Sequence, residues 1–199
     1  KIMAIIVDKV QKRQDIALAC KALVLENGIK NVTIAQIATT ARVGKGTIYD
    51  YFKNKEDLVF EIVNFLLLKY NEDTEKNIAA AKSTKEKVKV FTCFFHHESK
   101  AELREFYKEF KSIALSSPSE AMIEFNSGCD LRYQGWFEGI IQEGIDKGEI
   151  IPGAQKLARG LFASAEGMFI NACSTNKLDT LEKDINDFID AIFALIEVK

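Results

Sequence analysis

Between residues 44 and 55 the chain reads Gly-Lys-Gly-Thr-Ile-Tyr-Asp-Tyr-Phe-Lys-Asn-Lys, so cations, a hydroxyl and phenols fall within one short segment. Wound as a helix, this segment buries Ile48 and Phe52, four residues apart. Gly46, Thr47 and Asp50 then point to the opposite side, flanked by Tyr49 and Tyr51. Lys45 stands at the helix start, where free backbone N–H groups and the positive end of the helix dipole suit an anion. A small, glycine-bearing end of this kind lets phosphates or base edges approach the backbone. The chemistry on offer is recognition of a polyanion. Asp50 can accept from a cytosine amino group, or serve only as a solvated acid in local helix chemistry.

Other reactive residue types form no comparable set. His96-His97-Glu98, with Glu102 nearby, invites a metal reading. Adjacent histidines on a helix diverge by about 100°, however, which is awkward for one ion. Glu102, Glu105 and Glu109 alternate with Lys100, Arg104, Lys108 and Lys111, the pattern of a solvated face with i,i+4 pairs. Gly44-Lys45-Gly46-Thr47 is too short for a phosphate loop of the Walker type and follows no strand. No paired acids or nucleophile–base arrangement stands out. The expectation is a protein without catalytic residues, metal or cofactor.

The elements that position the segment are local. Ile34, Ile37, Ala38 and Ala41 give a preceding helix one apolar face, and Thr33 followed by Gln36 is a capping box. Val43 falls in the turn between the two helices. Such a pair fits a helix-turn-helix, and equally an ordinary helix pair with a glycine-rich connection. Asn54 can cap the next helix, with Asp57 at its third position. Lys55 then lies in a first turn where the dipole disfavours a cation, a placement that an external phosphate would explain.

Taken whole, TARVGKGTIYDYFKNKEDL resembles the DNA-binding signature of the TetR (tetracycline-repressor-like) family of bacterial regulators. The family's usual form is a Gly-Val-Ser turn, then Lys-Gly-Thr, Ile or Leu, Tyr, any residue, His or Tyr, Phe, and a lysine-rich start to the next helix. This chain departs at Arg42, where glycine is usual, and at Gly44, where a capping serine is usual. Arg42 adds a cation within reach of phosphate. Gly44 weakens the cap by about a few tenths of a kcal/mol. The resemblance implies an amino-terminal DNA-binding domain and a helical body that binds a small molecule and dimerises. It implies that Lys45, Thr47, Tyr49, Tyr51 and Lys55 hold phosphates or base edges, that Gly46 permits close approach, and that Thr33 grips the backbone.

Composition agrees with an all-α protein of one large or two small domains: 199 residues, 47% hydrophobic, and only two prolines. The net charge of −2 is unevenly spread. Residues 1–55 hold ten Lys and Arg against four Asp and Glu, a net +6; residues 56–199 hold seventeen against twenty-five, a net −8. A basic front on an acidic body suits a DNA reader with a separate regulatory part, and sets the domains at 1–55 and 56–199. Cys20, Cys93, Cys129 and Cys173 are scattered in apolar helical contexts, as buried reduced thiols of a cytoplasmic protein would be. No run is long enough to span a membrane, and residues 1–7 are too short for a signal peptide.

Along the chain, the first helix is expected from Asp8 to Asn27, closed by a left-handed cap at Gly28. Lys9, Lys12 and Arg13 near its start suit a solvated helix end or, as a group, phosphate contacts. The residues before it could lie along a groove. The helix from Asn54 runs to about Tyr70 or further and is apolar on so much of its girth that it serves as a lever between head and body. Glu72–Thr84 reads as a frayed connection, followed by helices over Val88–Lys100 and Ala101–Leu115. Ser117-Pro118-Ser119-Glu120 starts another, with Ser117 as cap and an irregularity at Asn126–Gly128. Two helices over Ala154–Ser174 and Thr180–Val198 close the chain. Within them LARGLFASAEGMF also resembles the carboxy-terminal half of TetR-type regulators, more loosely.

These last two helices carry more apolar surface than a small body can cover, which predicts a homodimer through Leu157, Leu161, Ala165, Phe188, Ile192, Phe193 and Ile196; the alternative is that they close the protomer's own core. Two heads must then address successive major grooves about 34 Å apart on a near-palindromic operator. Phe91, Phe94, Phe95, Phe106, Phe110, Met122, Trp136, Phe137, Phe162, Met168 and Phe169 are core residues, of which some line a cavity where the resemblance places an effector. By resemblance, an apolar molecule entering there tilts the lever and spreads the heads, which needs a coupling of roughly 1–3 kcal/mol. The reading is a ligand-responsive transcriptional repressor. The alternatives are a helical carrier or enzyme without DNA affinity, and a protein-binding adaptor.

Overall fold

The computed structural model describes residues 8–198, so the expectations for residues 1–7 lie outside it. Ten α-helices follow one another: α1 (Lys9–Ala19), α2 (Lys21–Asn27), α3 (Ile34–Thr40), α4 (Lys45–Tyr51), α5 (Lys55–Ala80), α6 (Thr84–Thr92), α7 (Ala101–Ser116), α8 (Glu120–Asp146), α9 (Ala158–Thr175) and α10 (Leu181–Ile196). Short 3-10 turns occupy Cys93–Phe95, Glu98–Lys100 and Pro152–Leu157. The one β feature among the described residues is an isolated antiparallel bridge between Ile150 and Glu197. The all-α expectation is met.

By packing, the chain forms two compact units. One comprises the residues up to Lys69 with Glu105–Met122; the other comprises Tyr70–Arg104 with the residues from Ile123 onward. This division by packing does not follow the division at residue 55, because the first half of α5 and most of α7 share a core with the amino-terminal helices.

In the first unit, Asp8 caps α1 by accepting from the Val10 and Gln11 amides at 2.9 and 3.3 Å. The single helix expected over Asp8–Asn27 is interrupted at Cys20, whose amide bonds back to Ala17 and Leu18 and whose thiol donates to the Ile37 carbonyl at 3.6 Å. Gly28 has φ +79, but its ψ of 151 takes it out of the left-handed helical cap predicted for it. A side chain there would also meet Glu109 Oε1 at 2.9 Å. That carboxylate is half-buried and accepts from the Ile29 amide, so it does not belong to the solvated face assigned to it.

The α3–turn–α4 segment follows its local signals. Both halves of the Thr33–Gln36 capping box are made. After α3 the Val43 amide reaches back to the Ala38 carbonyl at 3.0 Å and the Arg42 amide to that of Thr39 at 3.2 Å, a Schellman closure. That closure needs a left-handed residue at position 42, and Arg42 supplies it with φ +55. The usual glycine at this place therefore has a backbone reason, and an arginine there costs about 1 kcal/mol of conformational strain. Gly44 caps α4 without a side-chain bond.

Arg13 ties this unit together. Its guanidinium donates to Asp57 Oδ1 at 2.7 Å, to Glu61 Oε2 at 2.8 Å and to the Tyr51 carbonyl at the end of α4. It also lies 4.4 Å from the centre of the Phe52 ring. Asp57 further accepts from the Lys53 amide at 3.0 Å, while Asn54 caps α5 through the Asp57 amide at 2.8 Å. Desolvation alone would raise the Asp57 pKa. The hydrogen bonds from Arg13 and the Lys53 amide outweigh it and hold this carboxyl below the usual aspartate range.

Elsewhere the boundaries shift. Helix α5 extends to Ala80, because Thr74 and Ile78 continue its buried stripe through the polar stretch expected to fray. Helix α6 starts at Thr84 under a Ser83 cap and ends at Thr92, short of the expected Lys100. Ser119, not Ser117, caps α8, accepting from the Met122 amide at 3.2 Å. That helix runs unbroken through Asn126–Gly128. In the second unit Thr84 donates from its amide and hydroxyl to Glu149 Oε2 at 2.6 and 2.8 Å, and Lys87 pairs with Glu143 at 2.7 Å. The bridge at Ile150 is flanked by bonds from the Ile151 amide to the Ile196 carbonyl and from the Val198 amide to the Glu149 carbonyl, both 2.9 Å.

Two stability predictions follow from the first unit. Arg13→Ala should cost about 2 kcal/mol at neutral pH, measured by urea unfolding, since two carboxylates lose a charged donor. Because the folded Asp57 pKa is depressed, the clamp contributes fully above the unfolded carboxyl pKa of about 3.9 and is lost as pH falls through the folded value. The wild-type and Arg13→Ala curves should therefore converge in acid. Arg42→Gly should instead stabilise the chain by about 1 kcal/mol, less glycine's greater unfolded-state entropy.

Candidate nucleic-acid interface

Helix α4 presents two unlike faces because its buried pair, Ile48 and Phe52, is almost wholly enclosed in the first unit. On its outer side Lys45, Gly46, Tyr49 and Asp50 are exposed, with Tyr49 at 60% of its full surface. Thr47 and Tyr51 are half-exposed and flank them. Thr33 and Arg42, at the start of α3 and in the turn, are also exposed. A side chain added at Gly46 would meet nothing within 4 Å, so the backbone of the first turn is open to an approaching group.

What the fold leaves unused is informative. Among the described residues, the side chains of Lys45, Thr47, Tyr49 and Asp50 have no hydrogen bond or ion pair, although each carries a polar group. Lys55 differs. Its ammonium donates to the carbonyls of Lys30 and Val32, the latter at 3.2 Å. These internal acceptors account for a cation in the first turn of α5 without any external phosphate. Arg13 is likewise consumed by the fold and leaves the group of amino-terminal cations, of which Lys9 is exposed and Lys12 half-exposed.

The expected effector lining divides between the units. Phe106, Phe110 and Met122 are buried in the first, where Phe110 meets Phe60 edge-on at 5.9 Å. They are core of that unit. In the second, Phe91 is the hub of an aromatic cluster, 5.3 Å from Trp136, 5.3 Å from Phe137 and 5.9 Å from Phe162. Phe95 contacts Phe94 and Phe169 at 5.2 and 5.6 Å. At these separations the rings are in mutual contact. Trp136, Phe162 and Met168 lie half-exposed at the edge.

The expected dimer residues also divide. Leu161, Ala165, Phe193 and Ile196 are buried within the protomer, so they cannot bury again against a copy. Phe188 and Ile192 are half-exposed. Leu157 is 41% exposed but precedes α9, which begins four residues later than expected. Small or apolar residues left exposed include Gly160, Ala163, Gly167 and Ile170 on α9 and Ala191, Ala194 and Leu195 on α10. The paired histidines separate too. The His96 side chain is buried and lies 3.8 Å from Glu182, whereas His97 is exposed and accepts from the Ser99 amide at 3.3 Å. Burial lowers the His96 pKa despite Glu182. Among the described residues no three His, Cys, Asp or Glu side chains gather as metal ligands.

The comparisons bear on this surface. Residues 16–62, from α1 through the turn and α4 into α5, match the family model described as bacterial regulatory proteins, tetR family. The fatty acid metabolism regulator protein of Bacillus subtilis is 29% identical over 154 residues, covering 74% of this chain and 76% of that protein. A TetR-family transcriptional regulator from Cytophaga hutchinsonii superimposes with a TM-score of 0.76 at 20% identity, covering 95% of this chain and 96% of that one. The regulator FadR from Bacillus subtilis, solved in complex with stearoyl-CoA, superimposes with a TM-score of 0.68 at 22% identity, covering 88% and 96%. The signature and the family model agree over residues 16–62, and the helical architecture of the chain is similar to that of TetR-family transcriptional regulators of known structure.

Proposed function

We propose that the outer face of α4 reads an operator in the major groove, as part of a ligand-responsive repressor that binds near-palindromic DNA as a homodimer. The observation that carries this is the set of unpartnered polar groups on Lys45, Thr47, Tyr49 and Asp50, held outward by the burial of Ile48 and Phe52. Lys45 and Arg42 serve phosphates, Thr33 grips the backbone beside α3, and Gly46 admits close approach. Thr47, Tyr49, Asp50 and Tyr51 face base edges. Residues 1–55 form the reading part, and residues 56–199 the regulatory and dimerising part.

The dimer we infer uses the small-residue face of α9, around Ala163 and Gly167, together with Leu195 of α10, which is 77% exposed. An effector with an apolar portion enters the second unit at the edge of its aromatic cluster, where Phe162 and Trp136 are half-exposed. Stearoyl-CoA, bound in the structure of FadR, is a reasonable first probe. Helix α5 contributes residues to both units and is the natural carrier of the response.

Thr47→Ala should lower affinity for the operator about tenfold or more, as loss of a base-edge contact does, and leave the melting temperature unchanged. Equal losses of affinity and stability would remove Thr47 from the interface. Lys45→Ala should weaken binding to all duplexes alike and reduce the salt slope by about one ion per head. Gel shifts at two salt concentrations, using duplex from upstream of the coding region, measure both. Leu195→Glu should convert the dimer to a folded monomer in sedimentation velocity and abolish tight operator binding; a dimer that persists would contradict the interface.

A further inference from the structure

A cleft of about 680 Å³ in the second unit lies between the carboxy-terminal half of α5 and the segment from α6 to the Glu98–Lys100 turn. It adjoins the aromatic cluster through Tyr70, whose ring lies 5.5 Å from that of Phe94 and 6.2 Å from that of Tyr133. Its cations are Lys76, Lys89 and Lys100 and its acids Asp73 and Glu86. The acids are already engaged. Asp73 accepts from Lys100 at 3.3 Å, and Glu86 turns back to the Lys82 amide at 2.6 Å. Lys89 reaches Asp190 at 2.8 Å, but an ammonium has further donors. The side chains of Lys76 and Asn77 are exposed and have no hydrogen bond or ion pair among the described residues. With Lys76 unpaired the cleft holds three cations against two acids, in a body whose net charge over residues 56–199 is −8.

The apolar part of the lining is equally specific. Tyr70 is almost wholly buried and has the Lys100 ammonium 5.4 Å from its ring centre. Val90, Ala80 and Ala81 line the cleft beside it. A ligand that fits this combination has anionic oxygens and an apolar or aromatic portion, and the volume is that of a small-molecule site. We propose that the cleft binds a phosphorylated small molecule of nucleotide type, with its phosphates among Lys76, Lys89 and Lys100 and its apolar part beside Tyr70.

Calorimetric titration of the full chain with ADP, inorganic pyrophosphate and adenosine tests the assignment. ADP should bind at millimolar concentration or below at low ionic strength, and more tightly than either pyrophosphate or adenosine. Lys76→Glu should weaken ADP by about tenfold, as reversal of a charged contact would, while duplex binding and melting stay as in the wild type. Lys45→Glu, which disables the reading head, should leave ADP affinity unchanged. Loss of ADP binding in Lys45→Glu with retention in Lys76→Glu would place the anion in the reading head and overturn the proposal. So would adenosine binding as well as ADP, pyrophosphate binding as well as ADP, or no heat from any of the three.

Discussion

A helix of seven residues, as α4 is, cannot hold itself in place. Its intrahelical bonds are too few to repay nucleation, so its geometry must come from what it is packed against. Here that support has two parts. Ile48 and Phe52 bury one face, and Arg13 reaches across the first unit to the Tyr51 carbonyl at the helix end. The same guanidinium binds Asp57 and Glu61, one turn apart on α5. The carboxy-terminal end of α4 is thereby referenced to α5, and the outer face of α4 is presented in one orientation. A hydrophobic contact alone would hold the helix down without fixing its rotation; a planar, multiply bonded group does both.

This arrangement separates the cations that the fold engages from those it leaves exposed. Arg13 and Lys55 lie close in sequence to residues that could touch phosphate, yet both are consumed by internal acceptors. Lys45 and Arg42 remain exposed. Arg42 also shows a compromise between backbone and function. The Schellman closure after α3 asks for glycine, and the chain places a cation there instead, accepting strain where a charge faces outward.

Local signals were legible in the sequence. The Thr33–Gln36 box, the Asn54 cap and the buried pair Ile48–Phe52 need only residues within one or two turns, and the structure has all of them. What could not be read depends on distant partners. Arg13 meets residues more than forty positions away, and Glu109 meets the Ile29 amide eighty positions away. Periodicity likewise reveals an apolar stripe without saying what covers it. Leu161, Ala165 and Phe193 look the same whether they face their own protomer or a copy, and the fold spends them on the protomer. The aromatics of the body look alike in the sequence, whether core or cavity lining, but Phe106 and Phe110 belong to the first unit and Phe91 and Phe137 to the second.

The central claim is that the outward face of α4 meets duplex DNA while its inward face stays fixed. A residue-resolved NMR titration of the isotope-labelled protein with operator duplex tests it most directly. The account predicts that the amides of Gly46, Thr47, Tyr49 and Asp50 shift with saturable dependence on duplex, whereas those of Ile48, Phe52 and Asp57 move little. Shifts centred on α9 and α10, or no residue-specific shifts on α4 at low ionic strength, would contradict it.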